Sequence, residues 1–283
     1  MPALEDFRAL LAQDDAKIDL ARACLMVAQD AYPGLDVERY LADLDRMGER
    51  LRSEHADATA VEDKIIALNQ FLFDDLGYSG NADDYYDPRN SYLNEVMDRR
   101  TGIPITLSIL YMEVGRRMGL PVEGVSFPGH FLVRVRMRRG MLVLDPFAGG
   151  VPLSEDDLRA RLKRVVPRAA TGKLAPEDLP LDTFLEPASN RQVLARVLRN
   201  LKGIWREKDE PQKLLAVLDR ILVVAPDAHD DLRDRGLLYE RLECWRPALQ
   251  DLRDYLAREP EAADMDDVRA RVVDLSARCA RLN

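Results

Sequence analysis

Cysteine is scarce: Cys24, Cys244 and Cys279 are the only three among 283 residues, and their spacing is not that of metal ligands. An odd number so spread excludes a disulfide framework and a zinc finger, and it fits a reducing compartment. The chain also lacks any long apolar run, since Ala23–Ala28 is far shorter than the roughly 20 residues needed to span a bilayer. No basic leader precedes a hydrophobic stretch near the start, so the sequence predicts a cytoplasmic chain with no membrane partner. Positive charge is in deficit: the formal net charge is −9 and the pI is near 5.1. That argues against non-specific nucleic-acid binding, which needs a net basic face. Histidine is limited to His55, His130 and His229, of which His55 and His229 sit in polar helix-end sequence and read as surface residues.

The absence with most chemical consequence lies between Arg99 and Phe147. That stretch reads as a buried helix followed by β-strands that carry His130 and Asp145, with no nucleophile before them. A Cys/His/Asp hydrolase or transferase places its Cys at the start of such a helix, where the helix dipole lowers the thiol pKa. Here the helix start offers Pro104.

What is present is a globular composition, 47% hydrophobic and 32% charged, enough for one mixed domain and an appended module. Residues 4–76 carry apolar positions at three- and four-residue spacing, such as Leu41, Leu44, Met47 and Leu51, and are predicted to be helical. The segment 77–90, GYSGNADDYYDPRN, has no period; its Gly, Asn, Asp and Pro mark a long loop, a feature that is usually functional. Ser91 is the expected N-cap of a short helix over 92–100. The helix over 104–118 has Pro at its start, Gly119 past its end, and an apolar first half that must be enclosed by other elements. Strands follow at 122–126, 131–137 and 141–144, with a tight turn at Arg138, Arg139 and Gly140. Short-turn pairing brings His130 close to Asp145 across that hairpin.

Four prolines between Lys163 and Asn190 mark an irregular connection. Beyond it everything is helical. Pro226 and Pro260 are 34 residues apart, as are Trp205 and Tyr239, and a period of 34 with paired helices is the tetratricopeptide pattern. Two repeats and a last helix bury too little to stand alone, so the module is expected to dock on the first domain.

The run from Tyr78 through GNADDYYDPRNSYLNEVMDRRTGIPITLSILYMEVGRRMGLPVEGVSFPGHFLVRV to LDPF, followed by RVLRNLK (196–202) and LRDRGLLYE (232–240), resembles the bacterial regulators of sirC expression. Those combine a transglutaminase-like domain with tetratricopeptide repeats. The resemblance implies an α+β, papain/transglutaminase-like domain with an N-terminal helical region and a C-terminal all-α tetratricopeptide-like module. Its expected boundaries are 1–76 for the N-terminal helical region of the first domain, 77–165 for the core, 166–190 for the linker and 191–283 for the repeats. Within the superfamily a Gly-x-Cys pattern opens the nucleophile helix. Alignment on Gly119-Leu120-Pro121 puts Gly102 at the Gly and Pro104 at the Cys, and it matches His130 and Asp145 to the other two triad positions.

The residues leave three readings of His130 open: a His–Asp bond that ties two strands together, a ligand-binding group, or a base. Thr106 and Ser108 are the hydroxyls within reach of a nucleophile role, against the ordinary one of a backbone hydrogen bond. The candidate binding surface comprises Tyr85, Tyr86, Asp87, Arg89, Asn90, Asn94, Arg100, Pro104 and Thr106; the other reading of the loop is that it packs its tyrosines over the domain and uses Asp/Arg pairs to hold its shape. The calcium-loop pattern is not met there, so neither metal nor cofactor is expected. In the repeats, Asp231 and Asp234 are expected to pair with Arg233 and Arg235. The function that follows is a non-catalytic regulator or adaptor that binds a protein segment or small ligand, with a protein or peptide partner on the C-terminal repeats. The alternative is an acyl-transfer enzyme or peptide/isopeptide hydrolase using His130 and Asp145 with a non-cysteine nucleophile.

Overall fold

The computed structural model describes residues 2–165 and 180–281, so most of the expected linker, 166–179, lies outside the described residues. The chain divides into two compact units: Ala12–Val197, and a second made of the residues up to Leu11 together with those from Leu198 on. In chain order the helices are α1 (Pro2–Leu11), α2 (Leu20–Ala28), α3 (Val37–Glu54) and α4 (Val61–Asn69), the last running into a π-helical turn over Gln70–Asp75. Strand β1 (Ser79–Gly80), α5 (Leu93–Arg99), β2 (Thr101–Gly102) and α6 (Pro104–Arg117) follow. Next come β3 (Val122–Val125), β4 (Leu132–Arg136), β5 (Met141–Asp145), β6 (Val151–Leu153) and α7 (Glu155–Val165). The remainder is helical: α8 (Leu181–Phe184), α9 (Asn190–Glu207), α10 (Pro211–Val224), α11 (His229–Arg241), α12 (Trp245–Arg258) and α13 (Met265–Arg281).

The first unit is built around α6. Every residue from Pro104 to Gly115 is buried, because α2, α3, α4 and α5 pack against it as well as β3 and β4. Asp19 and Asp36 start α2 and α3 by accepting backbone N–H bonds from Arg22 and Arg39 at 2.9 and 3.1 Å, the ordinary role of an N-cap carboxylate. Ser91 does not cap α5: Tyr92 stands at that position, and the Ser91 hydroxyl is buried without a partner among the described residues. The four larger strands form an antiparallel sheet in the order β3-β4-β5-β6. Residues alternate across it, so Leu132 joins Val125, Val143, Leu158, Leu162 and Leu185 in a cluster beneath α7, while Val133 and Val135 face the other way, onto α6. Gly140, at φ 86°, makes the β4–β5 turn, and Val133 pairs with Leu144.

The second unit holds the repeats. Non-glycine residues with positive φ, Asp209 at 53° and Glu243 at 58°, close α9 and α11, so the spacing of 34 residues (243 minus 209) recurs in the backbone itself. Arg235 on α11 bridges Asp219 on α10 (2.7 Å) and, with two bonds of 2.7 and 2.8 Å, Asp251 on α12. This corrects the expected pairing of Arg235 with its neighbours on α11; Asp231 instead bonds Lys202 on α9 at 2.6 Å.

Two boundaries differ from the sequence reading. Helix α1 groups with the repeats, because Phe7 is fully buried against α10 with the buried Arg220 guanidinium 4.6 Å from its ring centroid. The first turns of α9 group with the first unit, since Asp15 caps that helix by accepting the N–H groups of Asn190 and Arg191 at 2.8 and 2.9 Å. Among the described residues no helix is long and apolar enough to cross a membrane.

Candidate functional site

Pro104 opens α6 from a buried position. One turn on, the Thr106 hydroxyl accepts the Ile103 N–H at 3.1 Å and donates to the Asn90 carbonyl at 2.7 Å. It therefore fastens the helix start to the loop, its proton committed to a backbone carbonyl and not to a base that could activate the oxygen. Ser108 is fully buried and lies 3.5 Å from the Phe131 carbonyl. Among the described residues neither hydroxyl is hydrogen-bonded to His130.

His130 sits just before β4, after a turn that Gly129 makes at φ 71°. The β4–β5 register carries it next to Asp145, with 2.9 Å between His130 Nε2 and Asp145 Oδ1. Asp145 is almost entirely buried. Its Oδ1 also accepts the Phe147 N–H at 3.1 Å, and its Oδ2 accepts Arg161 Nη2 of α7 at 2.8 Å. Burial opposes ionisation of this carboxyl, but the bonds and charges of His130 and Arg161 outweigh it and hold Asp145 below the usual carboxylate range. An ionised Asp145 accepts only, so His130 Nε2 donates to it, and a neutral imidazole held this way presents its Nδ1 lone pair. Among the described residues Nδ1 has no hydrogen-bond partner. The arrangement can accept a proton or a hydrogen bond at Nδ1.

The loop comes to this site through aromatics. Phe147 stands edge-on to His130 (ring centroids 5.9 Å), Tyr85 edge-on to Phe147 (6.4 Å), and Tyr86 edge-on to Tyr85 (5.2 Å). Strand β1 pairs in parallel with β2 and brings Gly80 so close to Phe147 that a Cβ there would lie 2.6 Å from the ring; only glycine lets the loop lie flush. Tyr86 is two-thirds exposed and Tyr85 about one-third. Burial pushes the Tyr85 phenol up, against the pull of the Arg196 charge on α9.

The other sequence candidates have internal duties or stand apart. Asp87 caps the 3-10 turn at Pro88–Ser91 and binds Arg89 at 2.8 Å. Asn90, with no exposed surface, donates to the Asp84 carbonyl at 2.7 Å and accepts from Asn81 at 3.2 Å. Asn94 is buried, with its Oδ1 unpartnered among the described residues, and Arg100 closes α5 at φ 58°. Tyr85 and Tyr86 thus join His130 and Asp145, whereas Asp87, Arg89, Asn90 and Thr106 shape the scaffold. Phe147 and Arg161 were not singled out in the sequence. Phe147 follows Asp145 by two residues and was legible as its neighbour; Arg161 sits in a charged helix with nothing to set it apart. Among the described residues no group of three or more His, Cys, Asp or Glu gathers as a metal set.

A helix packed on an antiparallel sheet, with His and Asp joined across it, defines the class, and comparison with known proteins agrees. The family model described as "Transglutaminase-like superfamily" matches residues 38–199, and one described as "Tetratricopeptide repeat" matches 201–272. The chain belongs to the transglutaminase-like superfamily, with tetratricopeptide repeats at its C-terminal end. It is similar to a "UPF0162 protein" of Xylella fastidiosa, 45% identical over 94% of this chain and 93% of the relative. It is also similar to the "UPF0162 protein YchA" of Escherichia coli, 26% identical over 90% of each chain, and to "Protein SirB1" of Salmonella typhimurium, 26% identical over 81% of this chain and 82% of the relative.

Proposed function

We propose that this protein is a regulatory adaptor whose transglutaminase-like unit binds a protein segment or small ligand without transforming it, while the repeats hold a protein partner. The observation that carries the reading is the start of α6. There Pro104 opens a buried helix, at the position that the resemblance matches to the superfamily's cysteine, and the nearby hydroxyls of Thr106 and Ser108 are directed into the scaffold. His130 and Asp145 keep a bond of working-triad length, and removal of a triad nucleophile costs about 10⁶ in rate in subtilisin, a measured system. What remains is an oriented imidazole beside Tyr85 and Phe147, a surface suited to a ligand that is part aromatic and part hydrogen-bonding. Resemblance to a family that includes SirB1 supports a regulatory role.

The test has two arms. Purified protein is offered peptide, isopeptide and ester substrates, and its retention of lysate proteins is compared between the native chain and the Tyr85→Ala and His130→Ala variants. The expected result is no turnover and a captured protein whose retention falls in both variants. Turnover abolished by His130→Ala in a folded protein would establish the hydrolase or acyl-transferase instead.

A further inference from the structure

The second unit contains a cleft of about 830 Å³ where the N-terminal end of α11 meets the C-terminal end of α12 and one side of α9. Its volume is that of a ligand-sized cavity. Two of its cations are already neutralised: Lys202 by Asp231 at 2.6 Å, and Arg233 by Asp264 at 2.8 Å. Asp227 has no ion-pair partner among the described residues, and the Asp230 side chain is 82% exposed, 3.3 Å from Arg233. The remaining cation is Arg199, half exposed and 3.7 Å from Asp231. The lip that faces an incoming group is thus richer in carboxylate than in cation.

The interior supplies the second half of the argument. Alanines 228, 262 and 263 and the buried Tyr255 line the cleft, leaving room and apolar surface for an aliphatic stem. Within the same cleft Arg233 lies over the Tyr255 ring, 5.6 Å from its centroid, while bonding Asp264. A guanidinium on an aromatic face with a carboxylate at its edge is a stable arrangement, and Asp227 with Asp230 offers the same kind of partner to a second one. Long cationic side chains combine an apolar stem and a charged head that suit such a cleft.

We infer that this cleft binds a peptide segment bearing lysine or arginine, with Asp227 and Asp230 receiving the cationic head and Arg199 as the charge that opposes it. The inference rests on the reading that the repeats hold a protein partner, and it assigns that partner a basic segment. Full-length protein is titrated with fluorescein-labelled tetra-arginine and tetra-glutamate, followed by anisotropy at low and high salt. Tetra-arginine is expected to bind and to weaken with salt. Its affinity should fall about tenfold when Asp227→Asn and Asp230→Asn are combined, and at least as far in Ala263→Trp, which fills the cleft without changing charge. Arg199→Gln should tighten binding. Preference for tetra-glutamate, weakening by Arg199→Gln, or tetra-arginine binding that ignores all of these variants would overturn the inference. If lysate capture by the full chain is lost in Ala263→Trp while tetra-arginine does not bind, the basic segment is wrong and the adaptor reading stands.

Discussion

Asp145 is the residue on which the candidate site turns. One carboxylate accepts from His130, Arg161 and the Phe147 amide, so three chain segments depend on its charge. Its folded pKa is depressed, and a depressed carboxylate stabilises the fold fully above its unfolded value near 3.9; the contribution is lost as pH falls through the lower folded value. Asp145→Asn is expected to cost about 3 kcal/mol at neutral pH, the scale for breaking a buried pair from one side. The gap from native protein should narrow in acid; denaturant melts at neutral and acidic pH check both points, and an equal gap at both would show that the charge is not what matters. The bond to His130 was legible because the tight turn at Arg138, Arg139 and Gly140 leaves the hairpin few registers. Arg161 was not, because a basic residue on a charged helix announces no partner. The loop was legible in part: Asp87 and Arg89 pair to hold its shape, which was one of its readings, whereas Asn90 read as surface chemistry and is buried, holding a backbone carbonyl that would otherwise go unsatisfied.

At the scale of elements, the repeats are bound by charge as well as by Leu232, Leu252 and Tyr255 in their shared core. Arg235 reaches Asp219 and Asp251, sixteen residues away on either side, so one guanidinium joins α10, α11 and α12. Burial raises Asp219 despite its bond to Arg235, and none of the three side chains is more than one-fifth exposed. Arg235→Ala strands two carboxylates and should cost about 3 kcal/mol, read as a lower midpoint in urea. Arg235→Leu with Asp219→Asn and Asp251→Asn should recover most of that loss; failure to recover would assign the cost to lost packing instead. The period of 34 made the helix pairs legible in advance. The bridge was hidden, because a spacing of sixteen has no meaning until helices are antiparallel, and His229, read as a surface residue, proves to bond Glu259 at 2.6 Å.

For the whole molecule the decisive fact is that the second unit is made from both ends of the chain. An amphipathic pattern states that α1 must bury a face, but not against what, which is why the sequence assigned it to its neighbours. Phe7→Ala is expected to lower the stability of the repeats by about 3 kcal/mol, the scale of a fully buried phenylalanine. Hydrogen exchange should show faster amides in α10 while α6 is unchanged; equal acceleration in both would place α1 elsewhere. The transglutaminase-like unit is therefore an insertion, entered after Leu11 and left before Leu198. On a ribosome adding roughly 5–20 residues per second, the 187 residues from 11 to 198 separate α1 from its partners by about 10–40 s. During that interval the α1 helix has no native surface to cover Phe7. The inserted unit can close while the helix that precedes it still waits, and the emergence of α10 is what lets α1 find its place.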